Sequence, residues 1–246
     1  MSETPEFVAW PKIGRVNKPV VLTEKLDGTN AAVGIRPVAA GTVLDPEFER
    51  VVDCGDLGQF AIRAQSRKRL IRPGADNFGF ASWAFDNADT LVPFLGEGLH
   101  YGEWWGAGIQ RTYGLSGRHW SLFNTHRWAE PMLYAPQEVI DLGVGVVPVL
   151  GIWGGNDIGR GLRQVLADLK NHGSPAAINA EGVEFRNPEG VVTYWTANNS
   201  LLKYIIENPD TPKSALVNPS PDGYLPDGFY TSEPENTVLA TTTEAL

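Results

Sequence analysis

The stretch Thr23-Glu24-Lys25-Leu26-Asp27-Gly28-Thr29-Asn30 is where the residue types first suggest chemistry. It lies between two β-rich runs, which puts a lysine at a strand end where a stiff backbone can aim it. An amine attacks an electrophile only when deprotonated, and an ordinary lysine holds its proton up to a pKa of about 10.4. Burial or nearby cations would ease its loss. Gly28 lets a nucleotide approach the backbone closely, while Asp27, Thr29 and Asn30 offer polar groups to a ribose, a phosphate or metal-bound water. Taken alone, Lys-x-Asp-Gly also describes an ordinary turn carrying an exposed lysine.

The elements that must hold this stretch are mostly strands. Alternating or continuous β-rich runs occupy Pro19–Thr23, Ala31–Arg36, Phe60–Gln65, Leu99–Trp105, Trp120–Asn124, Gly182–Arg186 and Val191–Thr196. Helical spacing fits Phe78–Leu95, capped by Asp76 or Asn77, and Ile158–Lys170, where Ile158, Leu162, Val165, Leu166 and Leu169 share one face behind Asp157. A shorter helix is expected over Ser200–Glu207. These elements do not alternate as βαβ units, so the expected fold class is α+β, with mainly antiparallel sheets flanked by helices. After Asn208 the composition turns to Pro, Ser, Thr, Asp and Gly, which predicts a body at 1–206 and a Pro/Asp-rich flexible tail at 207–246.

Several further segments accompany the lysine in a fixed order. Gln65-Ser66-Arg67 is followed by Tyr101-Gly102-Glu103-Trp104-Trp105-Gly106, then Ser121-Leu122-Phe123-Asn124, Glu181-Gly182-Val183-Glu184-Phe185 and Leu202-Lys203-Tyr204-Ile205. In this order the sequence resembles the covalent nucleotidyltransferase superfamily of ATP-dependent ligases and capping enzymes, most closely RNA ligases of the short, phage-associated kind. The resemblance covers about residues 7–206. It departs at the last segment, where the family commonly carries two lysines one residue apart and this chain has Lys203 and then Ile205.

The resemblance implies the nucleotidyltransferase fold and a three-step reaction using ATP and Mg2+ or Mn2+. Lys25 would take AMP from ATP, pass it to a nucleic-acid 5′-phosphate, and a 3′-hydroxyl would displace it to seal the strand. It further implies that Arg67 and Lys203 clamp phosphate and that Glu24, Asp27, Gly28, Asn30, Glu103 and Phe123 bind the nucleotide. Glu103 would hold the ribose and Phe123 would stack on adenine. Glu181 would hold the metal. Two other readings stay open: a DNA ligase or GTP-using capping enzyme, and a nucleotide- or nucleic-acid-binding module of the same fold without turnover. About forty residues of tail are too few for the oligonucleotide-binding barrel that DNA ligases and capping enzymes usually carry.

Composition sets outer limits. The net charge of −9 is unusual for a partner of nucleic acid. From Glu207 onward, however, seven acidic residues face Lys213 alone, so residues 1–206 carry only −3. Within that body Arg63, Arg67, Lys68, Arg69 and Arg72 form a basic cluster that suits phosphate, or equally a solvated charged loop. Trp104, Trp105 and Gln110-Arg111-Thr112-Tyr113 could form a stacking platform, though adjacent strand residues face opposite ways. The lone Cys54 cannot form an internal disulfide, and the first residues lack the pattern of a secretory signal. No apolar run approaches the roughly 20 residues of a membrane span. A cytoplasmic monomer, in the host cytoplasm if viral, is expected, with RNA ends or nicks and ATP as partners.

Overall fold

A computed structural model describes residues 7–10 and 13–206. Strand β1 (Pro19–Lys25) leads through Leu26–Gly28 into β2 (Thr29–Val38), followed by β3 (Arg50–Asp53), β4 (Gln59–Ser66) and β5 (Leu70–Ile71). Helices α1 (Phe80–Asp86) and α2 (Ala88–Leu95) precede β6 (Gly98–Gly106), β7 (Arg118–Leu122), α3 (Thr125–Leu133) and α4 (Gln137–Asp141). The chain continues through β8 (Val144–Val146), β9 (Val149–Gly154), α5 (Ile158–His172), α6 (Pro175–Glu181), β10 (Gly190–Trp195) and β11 (Ser200–Ile205).

These strands form two sheets. The small one has the order β11-β10-β1-β9, and the large one runs β3-β4-β2-β6-β7-β8 with β5 beside β4. All pairings are antiparallel except β7 with β8, as the α+β expectation required. Because β1 belongs to one sheet and β2 to the other, Leu26–Gly28 is the crossing point between them.

Period-two alternation explains how each sheet divides its faces. In β1, Val20 and Leu22 turn toward α5, where they pack with Leu162, Val165, Leu166 and Leu169. Val21, Thr23 and Lys25 take the other face. In the large sheet, Val33, Ile35, Ile62 and Trp104 pack under α1 and α2. A third cluster of Leu26, Trp105, Tyr113, Leu115, Val147, Ala176 and Ala177 fills the space beside the crossing point. Trp104 and Trp105 therefore enter different cores and are 2% and 1% exposed, so neither forms a stacking platform.

Three expected elements differ from the structure. The helix expected over Phe78–Leu95 is two helices broken at Asn87, whose side-chain amide donates to the Trp83 carbonyl at 2.7 Å and competes with the backbone. Asp76 does cap the first of them, accepting from the amides of Gly79, Ala81 and Ser82. Gly182–Arg186 is not a strand. Gly182 adopts a left-handed conformation at φ 70° and ends α6, after which the chain folds back so that the Ser174 amide bonds the Phe185 carbonyl. Ser200–Ile205 is a strand rather than a helix, because a turn with Asn199 at φ 56° folds it back along β10. Glu207 and the predicted tail lie outside the described residues.

Candidate active site

Lys25 is the last residue of β1 and is one-fifth exposed. Its Nζ donates to Oε2 of Glu189 at 2.5 Å, and Glu189 is buried. The pairing follows from the register, which sets Lys25 opposite Gly190. A side chain at 190 would put Cβ 1.9 Å from the Tyr204 carbonyl oxygen, so only glycine lets β10 lie this close to β11.

Glu103 enters from the large sheet, opposite Asn30 in the register. Burial pushes its carboxyl up to about 7; Lys25 opposes that shift, while Glu189 and Asp27 add to it. The backbone amide of Gly28 bonds Glu103 as well. A Cβ at Gly28 would stand 2.4 Å from the Trp104 carbonyl oxygen and 2.8 Å from the Trp105 Cβ, so close approach demands glycine here too.

Asp27 is held from the loop between β6 and β7. Arg111 donates through Nε to its Oδ2 at 2.9 Å and through Nη1 to the Asn187 carbonyl at 3.1 Å. The Asp27 amide donates to the Tyr113 hydroxyl at 2.8 Å. Gln110, Thr112 and Tyr113 all carry positive φ, so this loop holds three non-glycine residues in a disfavoured conformation. Tyr113 is fully buried, and burial raises its hydroxyl pKa; it braces the turn and offers no stacking surface.

Two sequence assignments are corrected by this geometry. The Glu24 carboxylate alternates away from Lys25 and is 1% exposed. It accepts from Ser174 Oγ at 2.5 Å and from the Ala176 amide at 2.9 Å, at the start of α6. Burial nonetheless pushes it up to about 7. Its side chain braces the fold and does not face the pocket. Glu181, taken above as the metal ligand, ends α6 and binds elsewhere: it accepts from Ser116 Oγ, from the amides of Ser116 and Gly117, and pairs with His119 at 3.0 Å. The Ser116 contacts lead in holding its carboxyl down at about 2. The carboxylate beside Lys25 is Glu189, and the signal for it was the second Glu-Gly-Val, immediately before the β-run at Val191.

The remaining residues lie around this centre. Lys203 is exposed on β11 opposite Val192, itself opposite Thr23, so it shares a face with Lys25 two residues along. Ile205 stands in the same row as Gly190 and Lys25. Phe123 follows β7, its amide bonded to the Tyr101 carbonyl, and is 40% exposed. Arg67 is exposed one residue past Ser66, which pairs with Ala31, and so lies at the Asn30 end of β4. Among the described residues no group of three or more His, Cys, Asp or Glu is arranged to hold a metal directly, and no helix is long and apolar enough to cross a membrane.

Comparison with known proteins gives the family of the chain. The RNA ligase family model matches residues 18–205, and the chain belongs to that family. Among solved structures it is similar to an arginine-to-alanine mutant of the Naegleria gruberi RNA ligase with ATP and Mn: 19% identity, TM-score 0.44, 82% of this chain and 57% of that one. A lysine-to-alanine mutant of the same ligase, also with ATP and Mn, gives 20% identity, TM-score 0.45, and 82% and 56% coverage. An archaeal ATP-dependent RNA ligase gives 15% identity, TM-score 0.43, and 81% and 48% coverage. The chain thus spans roughly half the length of these structures. No curated protein matches it.

Proposed function

We propose that this chain is an ATP-dependent RNA ligase that seals 5′-phosphate to 3′-hydroxyl ends through a lysyl-AMP intermediate on Lys25. The observation that carries the reading is the Lys25 amine at a strand end, 2.5 Å from the buried Glu189 carboxylate and beside Glu103 and Asp27. Family membership over residues 18–205 and the ATP named in the similar structures support it.

In the first step the Lys25 nitrogen forms a bond to the α-phosphorus of ATP as the bond to pyrophosphate breaks. In the second, an RNA 5′-phosphate oxygen takes the AMP and frees the amine. In the third, a 3′-hydroxyl oxygen attacks that 5′-phosphorus and AMP leaves. Each transfer gains from positioning and from neutralising the equatorial oxygens. Lys203 and Arg67 are assigned to phosphate, Glu103 to the ribose hydroxyls and Phe123 to the adenine face. Asp27 and Asn30 order the turn and its polar contacts.

Glu189 replaces Glu181 as the carboxylate for a divalent cation. With Asp27 and Glu103 near it, the donor set is all oxygen and suits a hard cation held through water. Such a cation would neutralise triphosphate charge. The division into a catalytic body at 1–206 and a dispensable tail at 207–246 belongs to the same reading, as does action as a monomer.

Incubation with α-labelled ATP and magnesium, followed by a denaturing gel, tests it. The wild type should carry label and Lys25→Ala should fold normally and carry none. Label mapped to another residue would overturn the mechanism, and an unlabelled wild type would favour a binding module without turnover.

A further inference from the structure

Helix α5 covers one face of the small sheet, on the side of Val20 and Leu22. The opposite face carries Lys25 at one end and an apolar row at the other. Register sets Leu201, Tyr194, Val21 and Ile152 across all four strands of that row, and Val149 extends it beside Thr23. Leu201 is 67% exposed, Ile152 63% and Val149 45%. The Tyr194 hydroxyl donates to Asn199 at 2.8 Å, so its polar end is satisfied and its ring belongs to the apolar surface. Single exposed apolar side chains are ordinary on a protein, whereas a contiguous row of them marks a face that something else covers.

The start of the chain does not cover it, because Phe7, Val8 and Trp10 are each more than four-fifths exposed. The other end of the sequence offers a better match. Residues 207–246 lie outside the described structure and are rich in Pro, Ser, Thr and Asp, yet all three of their aromatic residues fall in Tyr224-Leu225-Pro226-Asp227-Gly228-Phe229-Tyr230. The described chain ends next to the same face: Ile205 stands in the Lys25 row, and the Ile206 amide bonds the Glu189 carbonyl. From there to the apolar row is four residues back along β11, about 13 Å, and the row itself crosses three interstrand spacings, about 14 Å. Seventeen residues separate Ile206 from Tyr224. A flexible linker of that length averages more than about 20 Å end to end, so the segment reaches the row without strain.

We propose that residues 224–230 dock on this row of their own chain, with Tyr224, Leu225, Phe229 and Tyr230 against Leu201, Tyr194, Val21 and Ile152. Pro221 and Pro226 lack the amide that a ladder needs, so the segment packs through its side chains on the face and does not extend the sheet beyond β11. Val21 lies four residues before Lys25 on β1, which leaves the amine open and the tail dispensable for adenylylation. The docking holds whatever reaction Lys25 performs.

Limited proteolysis of the full chain by chymotrypsin, which cuts after aromatic residues and leucine, is the test. Cleavage tracks the open population, so cutting within 224–230 should be on the order of ten-fold faster in Ile152→Asp and in Leu201→Asp than in the wild type. Both positions are exposed, and circular dichroism should stay native with Lys25 adenylylation unchanged. Phe229→Ser, which leaves the described sheets untouched, should speed cutting at the neighbouring sites in the same way. Cleavage at the wild-type rate in both face variants would overturn the docking. Protection that grows with protein concentration would overturn it as well, since the segment would then lie on a second copy.

Discussion

Glu-Gly-Val occurs twice within a short span, and the two copies do different physical work. At Glu181 the tripeptide ends a helix, its glycine turns left-handed, and the carboxylate is consumed by Ser116, Gly117 and His119. At Glu189 the same residues begin a strand, the glycine sits in the ladder at the Lys25 row, and the carboxylate meets the amine. The chemistry of a motif is thus set by the element that follows it. Val191–Trp195 continues as β10, buried against α5 and β1, whereas Val183–Phe185 only returns the chain toward Ser174.

Exchanging each acid for its amide sharpens the contrast. Glu189→Gln should slow Lys25 adenylylation by on the order of 10²–10³ while circular dichroism stays native, as expected for losing one preorganised charged contact. Glu181→Gln at wild-type speed would complete the comparison, and a large rate loss there with little at Glu189 would reverse it. Lys203→Ala should depress both adenylylation and sealing of pre-adenylylated RNA by about 10², measured in single turnovers. Ile205→Lys should be tolerated within a few-fold, because position 205 shares the row and face of Lys25. Unchanged rates in Lys203→Ala would move the phosphate clamp to another residue.

The smallest effect is one of stability. Glu181 sits at about 2 in the fold against an ordinary 4.5, so its contribution is present above that ordinary value and fades as pH falls toward 2. Glu181→Gln should therefore lower Tm near neutrality. The gap from wild type should close as pH falls from 4.5 toward 2 in a thermal melt series. A gap independent of pH would mean that Ser116 and Gly117 bind the amide as well as the carboxylate.

Much of this was legible in the sequence because the signals were local. The alternation in Pro19–Lys25 and the helical face of Ile158–His172 each reflect constraints within a few residues. What stayed hidden depends on partners far along the chain. Glu24 reads as part of the Lys25 motif until Ser174 and Ala176 are seen to occupy its carboxylate. Arg111 and Tyr113 suggest only a stacking platform in the sequence, since their contacts with Asp27 reach across the space between the sheets. β11 was mistaken for a helix because Leu201 and Leu202 face solvent, which blurs the alternation.

The position of β1 within its sheet bears on the order of folding. Both of its partners, β9 and β10, come from the far end of the described chain, and the contact between Lys25 and Glu189 closes a separation of 164 residues. The large sheet, by contrast, pairs β2, β4, β6 and β7 from one continuous stretch. During synthesis that stretch can collapse on α1 and α2 while β1, though first to emerge, still lacks a ladder on either side. The Lys25 amine then has no carboxylate to meet until Val191–Trp195 has left the ribosome and paired with β1.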